Sequence, residues 1–461
     1  MSNQNTLKFI DLFAGMGGFR LGFEQACIDK GFKPVCVLSS EIKESAVKVY
    51  TENFGNDCLQ GDIFKVKEDE ISKFDYLLAG FPCQAFSSAG KRLGFTDTRG
   101  TLFFEIERIL EYHKPKGFIL ENVEGLIRHD IQNKSDKLGR TLQVILKTLK
   151  RLGYKVTWKL LDSSNFGVAQ SRKRVFIVGT LDKFVTLDGF TPVRKSLKEF
   201  LQRGLKPLDS EIAAKLLEHY KPEDLYGLSV KDKRGGANNI HSWDIGLKGP
   251  TTEEQRDLLK AIILNRRNKK WAAGKGIKWM DGMPLTVKEI STFWPDKPKR
   301  IKELLDDLTK KGYLSYEHPK DLMKVNSPTG KAVMARVPRE DVEKGYNIVA
   351  GKLSFGISKI LDPRGVCPTL VATDVERLAV VDKGGLRRLS TKELLRLSGF
   401  PDEFKLPVKK IEIYDLLGNT VVVPVIKSIG ERLLDVVENK QTKWVVDSAG
   451  IHEQQVLDLN Q

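Results

Sequence analysis

The sequence predicts an α/β fold built on a parallel sheet and interrupted by a large basic insert. Three observations predict it. Residues 1–185 alternate short apolar runs with amphipathic stretches, a rhythm that needs right-handed crossover connections between parallel strands. Residues 186–385 lose that rhythm and are richer in Lys, Gly and Pro. Residues 386–461 return to helix and strand, so the insert splits one fold instead of following it.

The elements follow in order. Leu7–Phe13 reads as a buried strand, and Ala14-Gly15-Met16-Gly17-Gly18 turns the chain into a helix over Gly22–Lys30. Lys33–Ser39 is the second strand, ending at Glu41, and Glu44–Asn53 the second helix. Gly61-Asp62-Ile63 closes a further short segment. Tyr76–Ala79 is a strand that opens into Gly80-Phe81-Pro82-Cys83-Gln84-Ala85-Phe86-Ser87. Helix Leu102–His113, strand Gly117–Leu120 with Glu121 at its end, helix Thr141–Leu152 and strand Val175–Gly179 complete the first part. Near the C-terminus, Thr391–Ser398 reads as a helix and the β-branched Thr420–Ile426 as a strand. There is no internal repeat.

Composition narrows the function. At 41% hydrophobic the chain is not disordered throughout, and no apolar run approaches the roughly 20 residues that span a bilayer. No signal-peptide pattern heads it, so a cytoplasmic location is expected. Cysteines 27, 36, 58, 83 and 367 are scattered without CxxC spacing, which fits a reducing compartment and no metal site. The net charge is +16, which points to an acidic partner, most simply nucleic acid. Residues 191–390 hold 39 Lys+Arg against 26 Asp+Glu, so +13 of that charge sits in the insert. Its densest stretch runs from Arg256 to Lys278. For such a run a solvated helix face competes with phosphate contacts.

One insert segment has its own pattern. Leu285–Phe293 and Pro298–Lys311 are helical candidates joined by a Pro-bounded turn, and Tyr313–Glu317 follows as a short strand. Ile301, Leu304, Leu305 and Leu308 share one face of the second helix, with Gly312 where a C-terminal cap belongs. Helix, turn, helix and wing is a winged-helix layout that can place a helix in a DNA groove; a hairpin that only packs is the alternative.

The chemistry gathers at strand ends. A glycine turn after the first strand brings backbone N–H groups and a helix N-terminus to a ligand. Arg20 stands where the third glycine of GxGxxG would, which argues for a nucleoside cofactor other than a dinucleotide. Glu41 can accept from ribose hydroxyls and Asp62 from an adenine amino group. Cys83 lies in a Pro/Gln/Ser loop at a strand's carboxyl edge, where open α/β sheets bind ligands. A thiolate there is a competent nucleophile if cations lower its pKa. Glu121 reaches the same edge, and Gln170-Ser171-Arg172-Lys173-Arg174 brings fixed positive charge.

Asp11-Leu-Phe-Ala-Gly-Met-Gly-Gly, the Gly80–Ser87 loop, Glu121-Asn-Val and Gln170-Ser-Arg-Lys-Arg resemble the ordered motifs of the cytosine-C5 DNA methyltransferases of bacterial restriction-modification systems. Arg388-Leu-Ser, Leu397-Ser-Gly-Phe-Pro and Gly418-Asn419-Thr-Val-Val-Val-Pro resemble the family's late motifs, and Cys367-Pro-Thr369-Leu-Val-Ala-Thr373 its Thr-Leu element. The resemblance implies a Rossmann-like methyltransferase sheet over 1–185, an inserted α+β target-recognition domain over 186–395, within which the winged-helix layout read from the pattern falls at about 283–318, and a return to the catalytic domain over 396–461. It implies S-adenosyl-L-methionine held by Asp11, Phe13, Gly15, Gly17, Glu41, Ile42, Asp62, Ile63 and Pro82, with Asn419 closing the site from a C-terminal strand. Cys83 would add to cytosine C6, Glu121 would hold N3, Arg174 would reach O2 and Arg172 would support their geometry. Gln84, Ser87, Lys91, Arg92, Arg266, Arg267, Lys269, Lys270, Thr369 and Thr373 are candidate contacts to double-stranded DNA. A monomer is expected, with a cognate restriction endonuclease as functional partner. A tRNA cytosine methyltransferase and a catalytically idle DNA-binding regulator are the alternatives; the long basic insert favours duplex DNA.

Overall fold

The structure is a computed structural model that describes residues 5–81, 102–131, 136–233, 235–278, 282–326, 332–349, 355–441 and 443–446. The chain forms two compact units. The first comprises Met1–Gln202, Pro363–Val375 and Ser390–Gln461, and the second Arg203–Asp362 with Glu376–Leu389.

The first unit is a sheet of seven strands: β1 (Thr6–Leu12), β2 (Lys33–Ser40), β3 (Leu59–Gln60), β4 (Tyr76–Gly80), β5 (Gly117–Val123), β6 (Lys155–Asp162) and β7 (Lys173–Thr180). Their order is β3-β2-β1-β4-β5-β7-β6. Helices α1 (Gly18–Asp29), α2 (Glu44–Phe54), α3 (Leu102–His113) and α4 (Arg140–Arg151) connect them. The sheet is not wholly parallel, because β7 runs antiparallel to both β5 and β6. The sequence reading missed β6 and so took β7 for another crossover product. The link from Asp162 to Lys173 holds only a single short turn, too little for a helical crossover, and the chain folds straight back.

Alternation along β1 divides the core. Ile10 and Leu12 join Leu77, Phe103, Ile106, Leu142 and Ile145 in one cluster beneath α3 and α4. Phe9 faces the other way and meets the Phe23 ring of α1 at 5.3 Å. Asp11 shares that side.

The chain's late part corrects an expectation. Thr420–Ile426 is no strand: residues 410–419 form one helix and Val423–Val437 another. Val425, Ile426, Ile429, Leu433 and Leu434 are buried at helical spacing, and Pro424 sits in the first turn, where its missing N–H is harmless. A β-branched run alone misled; burial of a helical stripe decided. This last helix lies so close to α1 that a Cβ on Gly22 would stand 2.7 Å from the Ile426 Cβ. The expected helix near residue 391 runs over Thr391–Leu397.

The second unit carries a five-stranded sheet whose strands include Ser229–Val230, Leu378–Asp382 and Gly385–Arg388. Beside it, helices α5 (Glu253–Asn265), α6 (Lys269–Gly274), α7 (Val287–Ser291) and α8 (Pro298–Lys310) surround Trp243, Leu258, Ile262, Ile290, Ile301, Leu305 and Leu308. After α8 come β8 (Leu314–Glu317), β9 (Lys320–Asn326), β10 (Ala332–Pro338) and β11 (Gly345–Ile348). β8 pairs with β11, and β9 pairs with β10 as a two-stranded ribbon. No helix among the described residues is long and apolar enough to cross a membrane.

Candidate active site

Where β1 ends the backbone turns through left-handed conformations at Phe13 (φ 57°), Gly15 (φ 55°) and Gly17 (φ 88°). Phe13 is a non-glycine held there, a strain of about 1–3 kcal/mol. It is held because its own N–H reaches Ser40 Oγ at 3.4 Å and the next N–H donates to the Ser40 carbonyl at 2.9 Å. A Cβ on Gly17 would lie 2.3 Å from the Phe54 ring, so only glycine lets the turn close against α2. Gly15 is different: among the described residues nothing lies within 4 Å of the Cβ it lacks, which leaves an open cradle.

Glu41 ties this turn to α2. Its carboxylate accepts from the Gly15 N–H at 2.8 Å, the Ile42 N–H at 2.9 Å and the Lys43 N–H at 2.8 Å. A carboxylate offers roughly four lone-pair directions, so one remains for a ribose hydroxyl and a second hydroxyl must displace a backbone donor. Ile42 is 76% exposed, an apolar side chain without cover. Asp62 caps the turn Ile63–Lys65 by accepting from the Phe64 N–H at 3.1 Å, and Ile63 is buried beside it. Asn419 does not reach the site from a strand. It ends the helix Lys410–Asn419, where its amide donates to the Asp415 carbonyl at 2.9 Å.

Asp11 is fully buried, and neither carboxylate oxygen has a hydrogen-bond partner among the described residues. Burial pushes its pKa up to about 8, against the opposing charge of Arg20. Arg20 is the residue that sequence reasoning passed over as a mere gap in a glycine pattern. Its guanidinium lies 4.6 Å from the Phe54 ring centre and donates to Tyr50 Oη at 2.9 Å and Glu24 at 2.8 Å. A cation amid the apolar run Phe19 to Phe23 was the available signal.

At the next strand ends, Glu121 pairs with Gly80 in the β4–β5 register. Its Oε1 lies 3.0 Å from Arg174 Nε. Burial raises the Glu121 pKa, opposed by Arg174 and then Arg172. Arg172 is 4% exposed; burial and then Arg174 pull it down to about 10, still charged at neutral pH. Its guanidinium donates to the Leu370 carbonyl at 3.3 Å and the Gly418 carbonyl at 3.0 Å, which fixes two late segments of the chain. Asn122 is a second residue overlooked from sequence. Buried, it donates to the Phe81 carbonyl at 2.7 Å and so anchors the start of the loop after β4. A buried asparagine between a strand and an acid was the clue. Cys83, Pro82, Gln84, Ser87, Lys91 and Arg92 lie outside the described residues.

The DNA candidates separate. Arg266 is no surface cation: it is 2% exposed, donates to Asn347 Oδ1 at 2.7 Å and to the Lys233 carbonyl at 3.2 Å, and so braces the second unit. Arg267 is half-buried beside it. Lys269 and Lys270 are exposed, the latter 4.2 Å above the Trp271 ring. Lys275 is committed to Glu289 at 2.6 Å. Arg256 and Lys260 line a cavity of about 780 Å³ with Asn239 and His241. Thr369 belongs to the first unit, and its hydroxyl donates to the Ser171 carbonyl at 2.8 Å, so it clasps the chain and is not free for a base. Thr373 is exposed, with its hydroxyl 3.3 Å from Asp374.

A sheet of this order with one reversed strand, its buried carboxyl and two guanidiniums gathered at the strand ends, defines the Rossmann-like methyltransferase class. Residues 7–435 match the family of C-5 cytosine-specific DNA methylases. The chain is 55% identical over 428 residues to the Type II methyltransferase M.NlaIV of Neisseria lactamica, covering 93% of this chain and 99% of that protein. It is 54% identical over 428 residues to M.NgoBV of Neisseria gonorrhoeae, covering 93% and 99%. It is 41% identical over 450 residues to M.HgiCI of Herpetosiphon aurantiacus, covering 92% and 96%. The chain belongs to the C-5 cytosine-specific DNA methylases and is a DNA cytosine-5-methyltransferase.

Proposed function

We propose that this enzyme takes its methyl group from S-adenosyl-L-methionine and acts on a cytosine flipped out of a specific duplex DNA sequence. The observation that carries the reading is the largely withdrawn Glu121–Arg174 pair beside the end of β4, where the Cys83 loop departs.

The first-unit residues fit an adenosine-containing sulfonium. Gly15 leaves a cradle, Glu41 keeps acceptor capacity, and Ile42 offers an uncovered apolar side chain. When bound, the cofactor supplies an electrophilic methyl group. Phe13, Asp62, Ile63 and Asn419 would border the adenine side.

Cytosine C5 is a poor nucleophile. The Cys83 thiolate adds to C6, forming a C–S bond, while Glu121 holds N3 so that charge does not accumulate on the ring. A carboxyl whose pKa burial has raised suits a proton-bearing role there. Arg174 keeps Glu121 in place and reaches the base O2, and Arg172 ties the start of β7, which carries Arg174, to the Leu370 and Gly418 carbonyls. C5 so activated would form its new bond to the methyl carbon that the cofactor supplies, with the demethylated thioether as leaving group; loss of the C5 proton and departure of the Cys83 thiolate would then restore the ring. Flipping the base costs about a few kcal/mol, which phosphate contacts from the second unit offset. The enzyme acts as a monomer in the cytoplasm, protecting DNA from a cognate restriction endonuclease.

Bisulfite sequencing of DNA from cells expressing the protein tests this. Methylation at one cytosine of a fixed sequence is expected, and none with Cys83→Ala. Methylation by the alanine variant, or on tRNA alone, overturns the reading.

A further inference from the structure

The ribbon of β9 and β10 has a sidedness that packing does not require. In its antiparallel register Leu322 stands opposite Arg336 and Lys324 opposite Met334. Alternation therefore places Lys320, Leu322, Lys324 and Asn326 on one face with Ala332, Met334, Arg336 and Pro338. Apart from the half-buried Lys320, every residue of that face is exposed. The other face holds Asp321, Met323 and Val325 with Val333, Ala335 and Val337; four of the six are half-buried, and Met323 and Val333 are exposed at 45% and 43%, so it is the cations, not the exposed apolar residues, that are confined to one face. All three cations among the described ribbon residues lie on the open face. Their one carboxylate, Asp321, lies on the other, 3.9 Å from Arg339.

Two explanations compete. Lysines on an exposed ribbon discourage edge-to-edge pairing, and that alone accounts for cations. It does not account for Leu322 at 38% and Met334 at 58% exposure between them, because a solvated face gains nothing from apolar side chains. Helix α8 mixes paired and unpaired cations, with Lys299 and Lys310 in no ion pair among the described residues. Its Arg300 pairs with Glu254 at 2.7 Å and its Lys302 with Asp306 at 2.5 Å; Lys311, just past its end, pairs with Asp307 at 2.6 Å. On the ribbon face Lys320 pairs with Glu317 at 3.1 Å, whereas Lys324 makes no ion pair among the described residues.

Spacing adds a dimension. Lys320 and Lys324 are four residues apart, about 13 Å along a strand, with Leu322 between them. The major groove of B-DNA is about 12 Å wide and admits a two-stranded ribbon. A strand crossing that groove sets each lysine against a phosphate wall and the leucine toward the floor.

We propose that this ribbon face is a duplex-DNA contact in which Lys320, Lys324 and Arg336 meet phosphates while Leu322 and Met334 pack on base edges or sugars. The proposal rests on duplex DNA being the substrate. It moves the contact from helix α8, the element a winged-helix layout nominates first, to the ribbon that follows β8.

The test uses the full chain, a short random-sequence DNA duplex, and anisotropy titrations across a salt series. The variant Lys320→Gln/Lys324→Gln/Arg336→Gln should bind at least tenfold more weakly at low salt. Its log K against log salt slope should shrink by about 0.9 for each phosphate no longer neutralised, up to about 2.7. The variant Leu322→Ser/Met334→Ser should bind more weakly with its slope unchanged. Both should bind S-adenosylhomocysteine as the parent does, which shows an intact first unit. A parent-like slope in the triple variant, with the parent binding the duplex, overturns the ribbon contact and leaves the DNA reading standing. A parent that binds no duplex overturns both. A parental dimer that the serine variant converts to monomer assigns the face to self-association and overturns the proposal.

Discussion

Arg174 Nε stands 3.0 Å from Glu121 Oε1, and the two side chains are only 16% and 12% exposed. The pair sits on adjacent antiparallel strands, with Arg174 opposite Val123, so the guanidinium reaches the carboxyl from beyond the strand end. A charge pair so withdrawn from water is worth keeping only if both partners are held, since removing one strands the other.

Glu121→Gln preserves shape and one hydrogen-bond donor but abolishes titration. It should lower kcat by roughly 10²–10⁴-fold, the range of a lost acid–base group. Binding of S-adenosylhomocysteine should stay within about twofold, measured by calorimetry. A kcat near that of the parent would remove Glu121 from the chemistry.

Asp11 gives stability a pH dependence with a definite sign. Its folded pKa, about 8, exceeds the ordinary carboxyl value of 3.8, so between those pH values the folded state binds the extra proton. Stability therefore falls as pH rises through that window, by up to about 1.4 kcal/mol per pH unit from this group. Asp11→Asn removes the titration, and thermal melts from pH 5 to pH 8 should show the parent losing Tm faster than the variant. Parallel curves for the two proteins would contradict the assignment.

Gly17→Ala confronts both a left-handed backbone and the Phe54 ring. The expected outcome is a drop in stability of about 2 kcal/mol or more, together with weaker S-adenosylhomocysteine binding, because α2 must yield. Phe54→Ala should cost less in the Gly17→Ala chain than in the parent, measured by urea denaturation. Equal costs in the two backgrounds would mean that backbone strain alone is responsible.

The basic run is best probed as two populations. Arg266→Met should destabilise the second unit by about 2 kcal/mol, since it deletes two charged hydrogen bonds and leaves the Asn347 oxygen without its donor. Lys269→Gln/Lys270→Gln should leave Tm unchanged and reduce only the salt dependence of DNA binding. The reverse pattern would show that the burial of Arg266 misreports its role.

Much of this was legible in the chain. The glycine turn, Glu41, Glu121 and the Arg172/Arg174 segment are short, local signals whose positions at strand ends follow from the alternation of apolar runs. What escaped needed partners distant in sequence. β6 alternates polar and apolar residues as a strand near the rim does, and only its pairing with β7 identifies it. Thr420–Ile426 carries strand-like residues, yet helical burial against α1 prevailed. Arg266 sits in a run of cations, and composition cannot say which one turns inward. Asn122 and Arg20 act by tying segments together, a role visible only when both ends are in view.

The helix Val423–Val437 has a consequence for how the protein is made. It packs against α1, an element from the start of the chain, yet the ribosome delivers it only after the whole second unit. At about 5–20 residues per second that interval is roughly 20–80 s, during which the apolar flank of α1 lacks its lid. The nascent sheet thus presents that flank uncovered throughout translation of the second unit.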